Sequence, residues 1–505
     1  MIADVIVEYQ SIIFGILIPL ILFKTIVYPL YFHPLAKIPG PKLAALTKYY
    51  ILYISWSEQR NNKVEEWHKK YGPIVRVGPN EVDICDVDYL KDIYVGNYDK
   101  SSFYTQFTSY DSFNTFSSPT KEPHRKSRKI SAKFYSKSHI ASSDLQVKFR
   151  SVLSKVLKLI HENELKSIDV FLIFQEMAMD VVNDITFGEK YYKPLLNDPF
   201  NYGKEIIRQF VNQSEPWFWV TQLPQFFDLV TPKDVKSDTS STMKWIEDQF
   251  NDSKKDLTQD SLVSVLVNGG KDDNAAKSEV FDHVAAGHAT TGVTLSYFFW
   301  EMAKNPKIQS KLIEELKKIN NNQVFDSDNF ESHYYDKIED LPYMNAVVLE
   351  VFRLHAAIPG QEPRVVPQKG LHWKGSDETP ELMIPPGTVV TVQPWSLHRN
   401  EKVFPDALTF SPERWLIDES KPIELENERL KEMNRNMMQF GSGVRMCIGM
   451  NIAIAEIKLT VCGILSRFNV ELDDSFDYDK AMIMSDKYTT HPAGYATKLI
   501  FKPLK

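Results

Sequence analysis

The sequence predicts a mainly α protein with a minor β-sheet region, built as one large domain. Long stretches of helical periodicity fill the middle of the 505-residue chain, while short β-branched runs bounded by glycine and proline occur near the N-terminus and again at 369–393. Length alone would suggest about three domains, yet after residue 45 no Gly/Ser-rich or proline-rich linker separates one compact stretch from another. With 43% hydrophobic and 25% charged residues and a formal net charge of -7, the chain can bury a large core. That balance points away from disorder and from a nucleic-acid partner.

The first element is apolar. Val5 to Phe23 is almost all apolar, broken by Glu8 and Gln10, and the apolar character resumes after Lys24 through Phe32. About 20 residues cross a bilayer, so residues 1–32 are expected to form a transmembrane anchor. Asp4 and Glu8 precede the run and Lys24, Lys37, Lys42 and Lys48 follow it, which places the N-terminus outside and the bulk of the chain in the cytosol. A cleaved signal peptide would carry a basic start and a small-residue cleavage site; neither is present. Residues 33–45 follow as a connector, in which the prolines of His33-Pro34-Leu35-Ala36-Lys37-Ile38-Pro39-Gly40-Pro41 fix φ and stiffen the chain. Cys85, Cys447 and Cys462 are the only cysteines, so no disulfide framework is implied and the body, residues 46–505, is expected to face a reducing compartment.

In the body, Ile74 to Val77 and Glu81 to Cys85 read as a hairpin around Gly78-Pro79-Asn80. Helices are expected at 140–162, 171–187, 242–268, 278–304, 306–319 and 342–355. Gly269 to Lys277 and Asn320 to Asp340 read as surface loops. Residues 369–393, with Pro385-Pro386-Gly387 and Val389, Val390 and Thr391, read as strands returning to the sheet, and Asp418 to Glu432 as a solvated acidic insertion. No internal repeat is visible.

The chemistry is concentrated at Phe440-Gly441-Ser442-Gly443-Val444-Arg445-Met446-Cys447-Ile448-Gly449. Glycines let this backbone turn tightly, and a cysteine at the start of a helix gains the positive end of its dipole, which favours the thiolate. The layout suits a loop that presents sulfur to a haem iron, with Arg445 on a propionate and Phe440 against the ring. A lone cysteine at a helix start is usually inert structure, but ten residues here match Phe-x-x-Gly-x-Arg-x-Cys-x-Gly. On that motif the chain resembles the cytochrome P-450 superfamily, the haem-thiolate monooxygenases, from residue 30 to the C-terminus. The resemblance implies the cytochrome P-450 fold and haem b (iron protoporphyrin IX) in a catalytic domain spanning 46–505, with Cys447 as the iron ligand.

Glu350 and Arg353 share a helix face inside Ala346-Val347-Val348-Leu349 and Val351-Phe352, so Glu350 is expected to be buried. An unpaired buried charge would cost roughly 3–5 kcal/mol, and a third partner is needed. The resemblance supplies Arg414 of Pro412-Glu413-Arg414-Trp415, and the three are expected to form a structural lock. Ala285-Ala286-Gly287-His288-Ala289-Thr290-Thr291-Gly292 is a poor helix centre, since glycine costs about 1 kcal/mol there and threonine bonds back to the preceding turn. Tight packing against small residues would explain it; the resemblance makes it the oxygen-activation helix, with Thr290 and Thr291 as catalytic residues. The family usually has Asp or Glu before that threonine, and this chain has Ala289. The expected proton relay is therefore in doubt, and three substitutes compete: water chains held by Thr290 and Thr291, a proton from the substrate, or a shifted chemistry such as peroxide use or rearrangement. His283 is expected near the face of Thr290, and His288 to point elsewhere.

By the same resemblance His124 and Arg128, four apart in a basic run 121–129, and Arg364 of Pro363-Arg364-Val365-Val366-Pro367 face the haem propionates, although the run also reads as a solvated face. Lys431 and Arg435 join that run as a surface for an acidic reductase domain. Two aromatic groups, Phe103, Tyr104, Phe107, Tyr110, Phe113 and Phe116, and Trp217, Phe218, Trp219, Phe226 and Phe227, are expected over a distal cavity that takes a hydrophobic substrate from the bilayer, with Gln361 and Glu362 adding a polar contact. Thiolate donation favours O–O cleavage, so the implied activity is monooxygenation (hydroxylation). Electrons would come from NADPH-cytochrome P-450 reductase, with cytochrome b5 as a second donor, at the endoplasmic reticulum membrane, as in fungal microsomal members. The alternatives are a reductase-independent isomerase or dehydratase, for which Ala289 speaks, and a non-catalytic haem sensor or carrier.

Overall fold

A computed structural model describes residues 15–196, 202–319 and 334–504. Residues 1–14, with Asp4, Glu8 and the start of the expected anchor, and 320–333 of the expected loop lie outside the described residues. The chain divides into two compact units, Met1–Ser101 with Gly360–Ser396, and Ser102–Pro359 with Leu397–Lys505.

The first unit begins with helix α1, Gly15–Phe32, which is apolar, unburied and long enough to cross a membrane. Its end is tied down by Arg76, whose buried guanidinium donates to the carbonyls of Pro29 at 2.7 Å and Pro79 at 2.7 Å. Burial lowers the pKa of that guanidinium to about 10. Pro39 accepts from the Arg76 amide, so the proline-rich connector lies along the sheet. Helices α2 (Lys48–Trp56) and α3 (Arg60–Tyr71) lead into β1 (Ile74–Gly78) and β2 (Glu81–Ile84), the antiparallel hairpin read from the turn residues. With β3 (Asp99–Lys100), β4 (Arg364–Val365) and the later strand β7 (Val389–Thr391) they form a five-stranded sheet in the order β1-β2-β7-β4-β3. The expectation for 369–393 holds only for β7 (Val389–Thr391), which runs parallel to β2. β5 (Leu371–Trp373) and β6 (Leu382–Ile384) pair with each other instead, because Gly370 and Gly375, both at positive φ, turn that stretch away as a separate hairpin.

The second unit is helical around one large apolar cluster. Its helices include α4 (Lys121–Ser131), α5 (Ser143–Glu162), α6 (Val170–Phe187), α7 (Tyr202–Ser214), α8 (Trp217–Gln222), α9 (Lys233–Ser253), α10 (Leu262–Asn268), α11 (Asp273–Lys304), α12 (Pro306–Lys318), α13 (Pro342–Leu354), α14 (Ile423–Arg435) and α15 (Met450–Leu465). Three antiparallel strands, Ser167–Asp169, Phe468–Leu472 and Lys498–Pro503, form its sheet with the last in the middle. α6 is buried along its whole length and packs against α11. Such a helix must satisfy its polar groups internally. Asp180 does so by accepting from the amides of Leu195 at 2.6 Å and Leu196 at 3.2 Å, while burial pushes its pKa up to about 6.

Several boundaries differ from the sequence expectation. The helix read at 242–268 is two, α9 and α10, because polar residues 254–260 form turns and Ser261 caps a new start by accepting from the Ser264 amide. α11 begins within the expected loop 269–277, capped by Asp272 on the Ala275 amide at 3.0 Å. Residues 418–432 are mostly exposed, as expected of a solvated stretch, but they are helical within α14, which buries Glu426 and, just beyond, Met433. α7 was not foreseen, though Ile206, Ile207 and Phe210 bury one of its faces.

Candidate active site

Cys447 stands on a loop that needs two glycines. Gly441 and Gly443 have φ of +72° and +70°, a region that a residue with a Cβ enters only at a cost. The Cys447 amide donates back to the Phe440 carbonyl at 2.8 Å and closes the loop, and Gly449 then leads into α15. From Ala455 to Leu465 that helix is buried, yet Cys447 at its approach is exposed. Cys462, on the same helix, is fully buried, and in the first unit burial pushes the Cys85 thiol far up, helped by Asp83, Asp86 and Glu65. Of the three, only Cys447 offers an open sulfur at the positive end of a helix.

Two guanidinium groups tie the loop to its surroundings. On α4, Arg128 donates to the Met446 carbonyl at 2.8 Å. Burial lowers the pKa of its guanidinium, and the neighbouring Cys447 sulfur opposes that shift. His124, one turn earlier, is buried. Arg445 holds the lead-in to α4 through the carbonyls of Ser118 at 2.7 Å and Pro119 at 3.0 Å. Phe440 meets Phe352 of α13 edge to face, with ring centroids 5.1 Å apart. Arg364 belongs to the first unit, where it lies over the Tyr94 ring at 4.8 Å and 3.6 Å from Glu362. Lys431 and Arg435, expected on a docking surface, are paired within α14 to Glu428 at 3.2 Å and Glu432 at 2.7 Å.

α11 separates two roles on two faces. At Gly287 a Cβ would come within 2.9 Å of Val182, and at Gly292 within 3.0 Å of the Gln175 backbone, so the glycines serve close packing against α6. On another face Ala286 is exposed and Ala285, Ala289 and Thr290 are half-buried, an open stripe of small residues on a helix that is otherwise core. Thr290 donates to the Ala286 carbonyl at 2.9 Å along that stripe. Thr291 is 3% exposed and lies off it. His288 is buried against Phe210, with its pKa lowered to about 4 by burial.

A buried polar group the sequence did not reveal links α11 to α4. Glu279 accepts from Thr115 at 2.8 Å, from Ser127 and from Lys271 at 2.9 Å, and lies 3.6 Å from His283. His283 shares a 2.7 Å hydrogen bond with Tyr135, whose carbonyl accepts from Asn451 of α15. Burial raises the Glu279 pKa, but His283, Lys271 and Ser127 outweigh it and hold the carboxyl well below its usual range. The i,i+4 spacing of Glu279 and His283 was the available signal.

The structure brings Glu350, Arg353 and Arg414 together. Arg353 grips Glu350 with both arms at 2.9 and 2.8 Å, and Arg414 adds a bond at 3.0 Å. Trp415 and the Ser411 amide complete the carboxylate at 2.9 Å each. Arg353 also donates to the carbonyls of His398 and Ala407.

A single exposed cysteine sulfur, the guanidinium of Arg128 beside it and an apolar stripe with one hydroxyl suit a flat, anionic, sulfur-ligated metallocycle, and the donor set fits haem. Cytochrome P-450 is the family description whose sequence profile matches residues 38–499. Similar curated proteins are cytochrome P-450 monooxygenases of fungi. Orf4 of Eupenicillium brefeldianum is 28% identical over 92% of this chain and 93% of its own length. CloA of Claviceps purpurea (29%; 88% and 87%) and orf2 of Aspergillus niger (29%; 88% of each) are comparably similar. The mainly α architecture with minor sheets agrees with that match. The chain belongs to the cytochrome P-450 family, haem-thiolate enzymes, and is an oxidoreductase that incorporates oxygen from dioxygen into its substrate.

Proposed function

We propose that the chain hydroxylates a hydrophobic organic molecule using haem b held by Cys447. The observation that carries this reading is the open Cys447 sulfur on its glycine loop with Arg128 bound to the adjacent carbonyl. Thiolate-ligated haem, when bound, supplies dioxygen activation with two electrons and two protons. The residues of this chain do the rest. Arg128, His124 and Arg445 would neutralise the propionates, and Phe440 would pack at the ring. Glu350, Arg353 and Arg414 lock the polypeptide behind the loop. Thr290 holds a hydroxyl on the open stripe of α11, and its bond to the Ala286 carbonyl orients it. Thr291, being buried, serves this role less well.

Residues 1–32 anchor the chain in the endoplasmic reticulum membrane through α1, residues 33–45 connect it, and 46–505 form the catalytic domain facing the cytosol. Electrons come from NADPH-cytochrome P-450 reductase, with cytochrome b5 as a further donor. The run 121–129 on α4 is the proposed docking surface, with Arg125 paired to Glu122 there at 2.9 Å just as Lys431 and Arg435 are paired within α14. Ala289 supports a second reading, an isomerase or dehydratase that needs no reductase. NADPH consumption by purified protein with reductase decides: product formed only with NADPH supports the monooxygenase, and product without it supports the alternative.

A further inference from the structure

Far from Cys447 in sequence, the C-terminal turn carries a cation in an unusual place. Lys487 is 9% exposed, and its ammonium is 2.8 Å from both carboxylate oxygens of Glu215 and 3.0 Å from the Tyr495 hydroxyl. Tyr495 also contacts Glu215 and bonds His491 at 2.8 Å, with the two rings stacked 4.0 Å apart. Its backbone sits at φ +47°, a region disfavoured for a residue with a Cβ. Glu215, by contrast, is 41% exposed. The cluster therefore has a buried receiver and a bolt reachable by water.

What the bolt fastens is marginal by itself. Between Pro216 and Pro232 the chain makes only short helical pieces, α8, Pro224–Phe226 and Phe227–Val230. None is long enough to persist alone. The segment exposes Phe226, Leu229 and Val230, Leu229 by 82%. Inward, α8 buries Phe218 and Thr221 and packs on the Ser102–Phe107 turn. The same C-terminal turn places Tyr488 against Phe103, Phe107 and Phe116 at centroid distances of 5.6, 5.0 and 6.2 Å. Three segments remote in sequence thus meet at one aromatic cluster, and the Glu215–Lys487 pair joins two of them.

We propose that this pair is a latch. Closed, it holds α8 over the aromatic cluster; open, with Glu215 turned to solvent, it frees residues 217–230 and admits an apolar ligand to the cluster. The inference rests on the reading that a hydrophobic substrate enters by these aromatic segments. The test uses the full-length holoenzyme in detergent, comparing Glu215→Gln, Lys487→Met and the charge swap Glu215→Lys/Lys487→Glu. The latch predicts amide exchange in 217–230 at least tenfold faster in either single variant, with α5 unchanged, and protection regained in the swap. It also predicts a faster on-rate for 4-phenylimidazole, followed by its spectral shift. Wild-type exchange at 217–230 in Glu215→Gln overturns the latch, and this half-exposed position keeps that result available if Lys487→Met does not fold. Faster exchange with an unchanged on-rate overturns gating. Failure of the wild type to give a 4-phenylimidazole shift counts against the haem reading alone, since exchange is read without it.

Discussion

The Glu350 cluster and the Cys447 loop sit in the same unit and are built on opposite principles. At Glu350 the structure spends five donors on one carboxylate, and neither Glu350 nor Arg353 has any exposed side-chain surface. At Cys447 the backbone is equally determined, by two left-handed glycines and the Phe440 carbonyl, but the sulfur is left open. Saturated bonding fixes position, whereas a fixed backbone that leaves a side chain exposed presents it for chemistry. The two regions should therefore respond to mutation in different observables.

The largest effect is expected at the saturated cluster. Glu350→Ala leaves Arg353 buried without its counter-charge, and should cost about 3–5 kcal/mol of unfolding free energy in urea titration; a loss below about 1 kcal/mol would show that the cluster is not a lock. Cys447→Ser in the cofactor-free chain should change stability by less than about 0.5 kcal/mol, while haem retention in the same variant falls to background.

Buried titratable groups sharpen the contrast through pH. Burial raises the Glu456 pKa from 4.5 to about 8, so the folded state keeps a proton that the unfolded chain releases. Stability present below pH 4.5 is then lost as pH rises toward 8, by about 1.4 kcal/mol per unit. Glu456→Gln should flatten that loss between pH 6.5 and 8 in thermal or urea unfolding. Burial depresses His288 and His491 to about 4 and, with Arg399 and Arg353, His398 to about 3. These sites act in the opposite sense: stability present above pH 6.5 is lost as pH falls toward 4.

Smaller effects test the open side. Ala289→Asp restores a carboxylate beside Thr290 on the half-buried stripe and should lower the fraction of NADPH electrons that end as hydrogen peroxide in the reconstituted system; an unchanged fraction would mean that proton delivery does not pass this position. At the small end, Lys431→Ala removes an exposed pair with Glu428 and should shift stability by less than about 0.5 kcal/mol.

How much of this was legible in sequence depends on whether the partners are contiguous. The cysteine loop is written in ten consecutive residues, and the hairpin at Ile74–Ile84 in its turn residues. Glu350 and Arg353 declare themselves by spacing, and Arg414 follows once the family is suspected. The carbonyls of His398, Ala407 and Thr409 that hold Arg353 have no sequence signature, because every residue carries one. Glu279 draws Thr115, Ser127 and Lys271 from three segments, which only folding brings together. Adjacent Thr290 and Thr291 look alike in sequence, and about 100° of helical rotation gives them different surroundings. The acidic stretch 418–432 reads as solvated because charges dominate its composition, and it is mostly exposed; what composition hides is the helix α14, where i,i+3 pairs such as Arg429 with Glu426 offset the charge and Met433 turns inward.

The account turns on the atom that ligates iron. Reduced wild-type protein in freshly isolated membranes, treated with carbon monoxide, should give a thiolate-type Soret band that disappears in Cys447→Ser; an imidazole-type band, or protein without pigment, would contradict it.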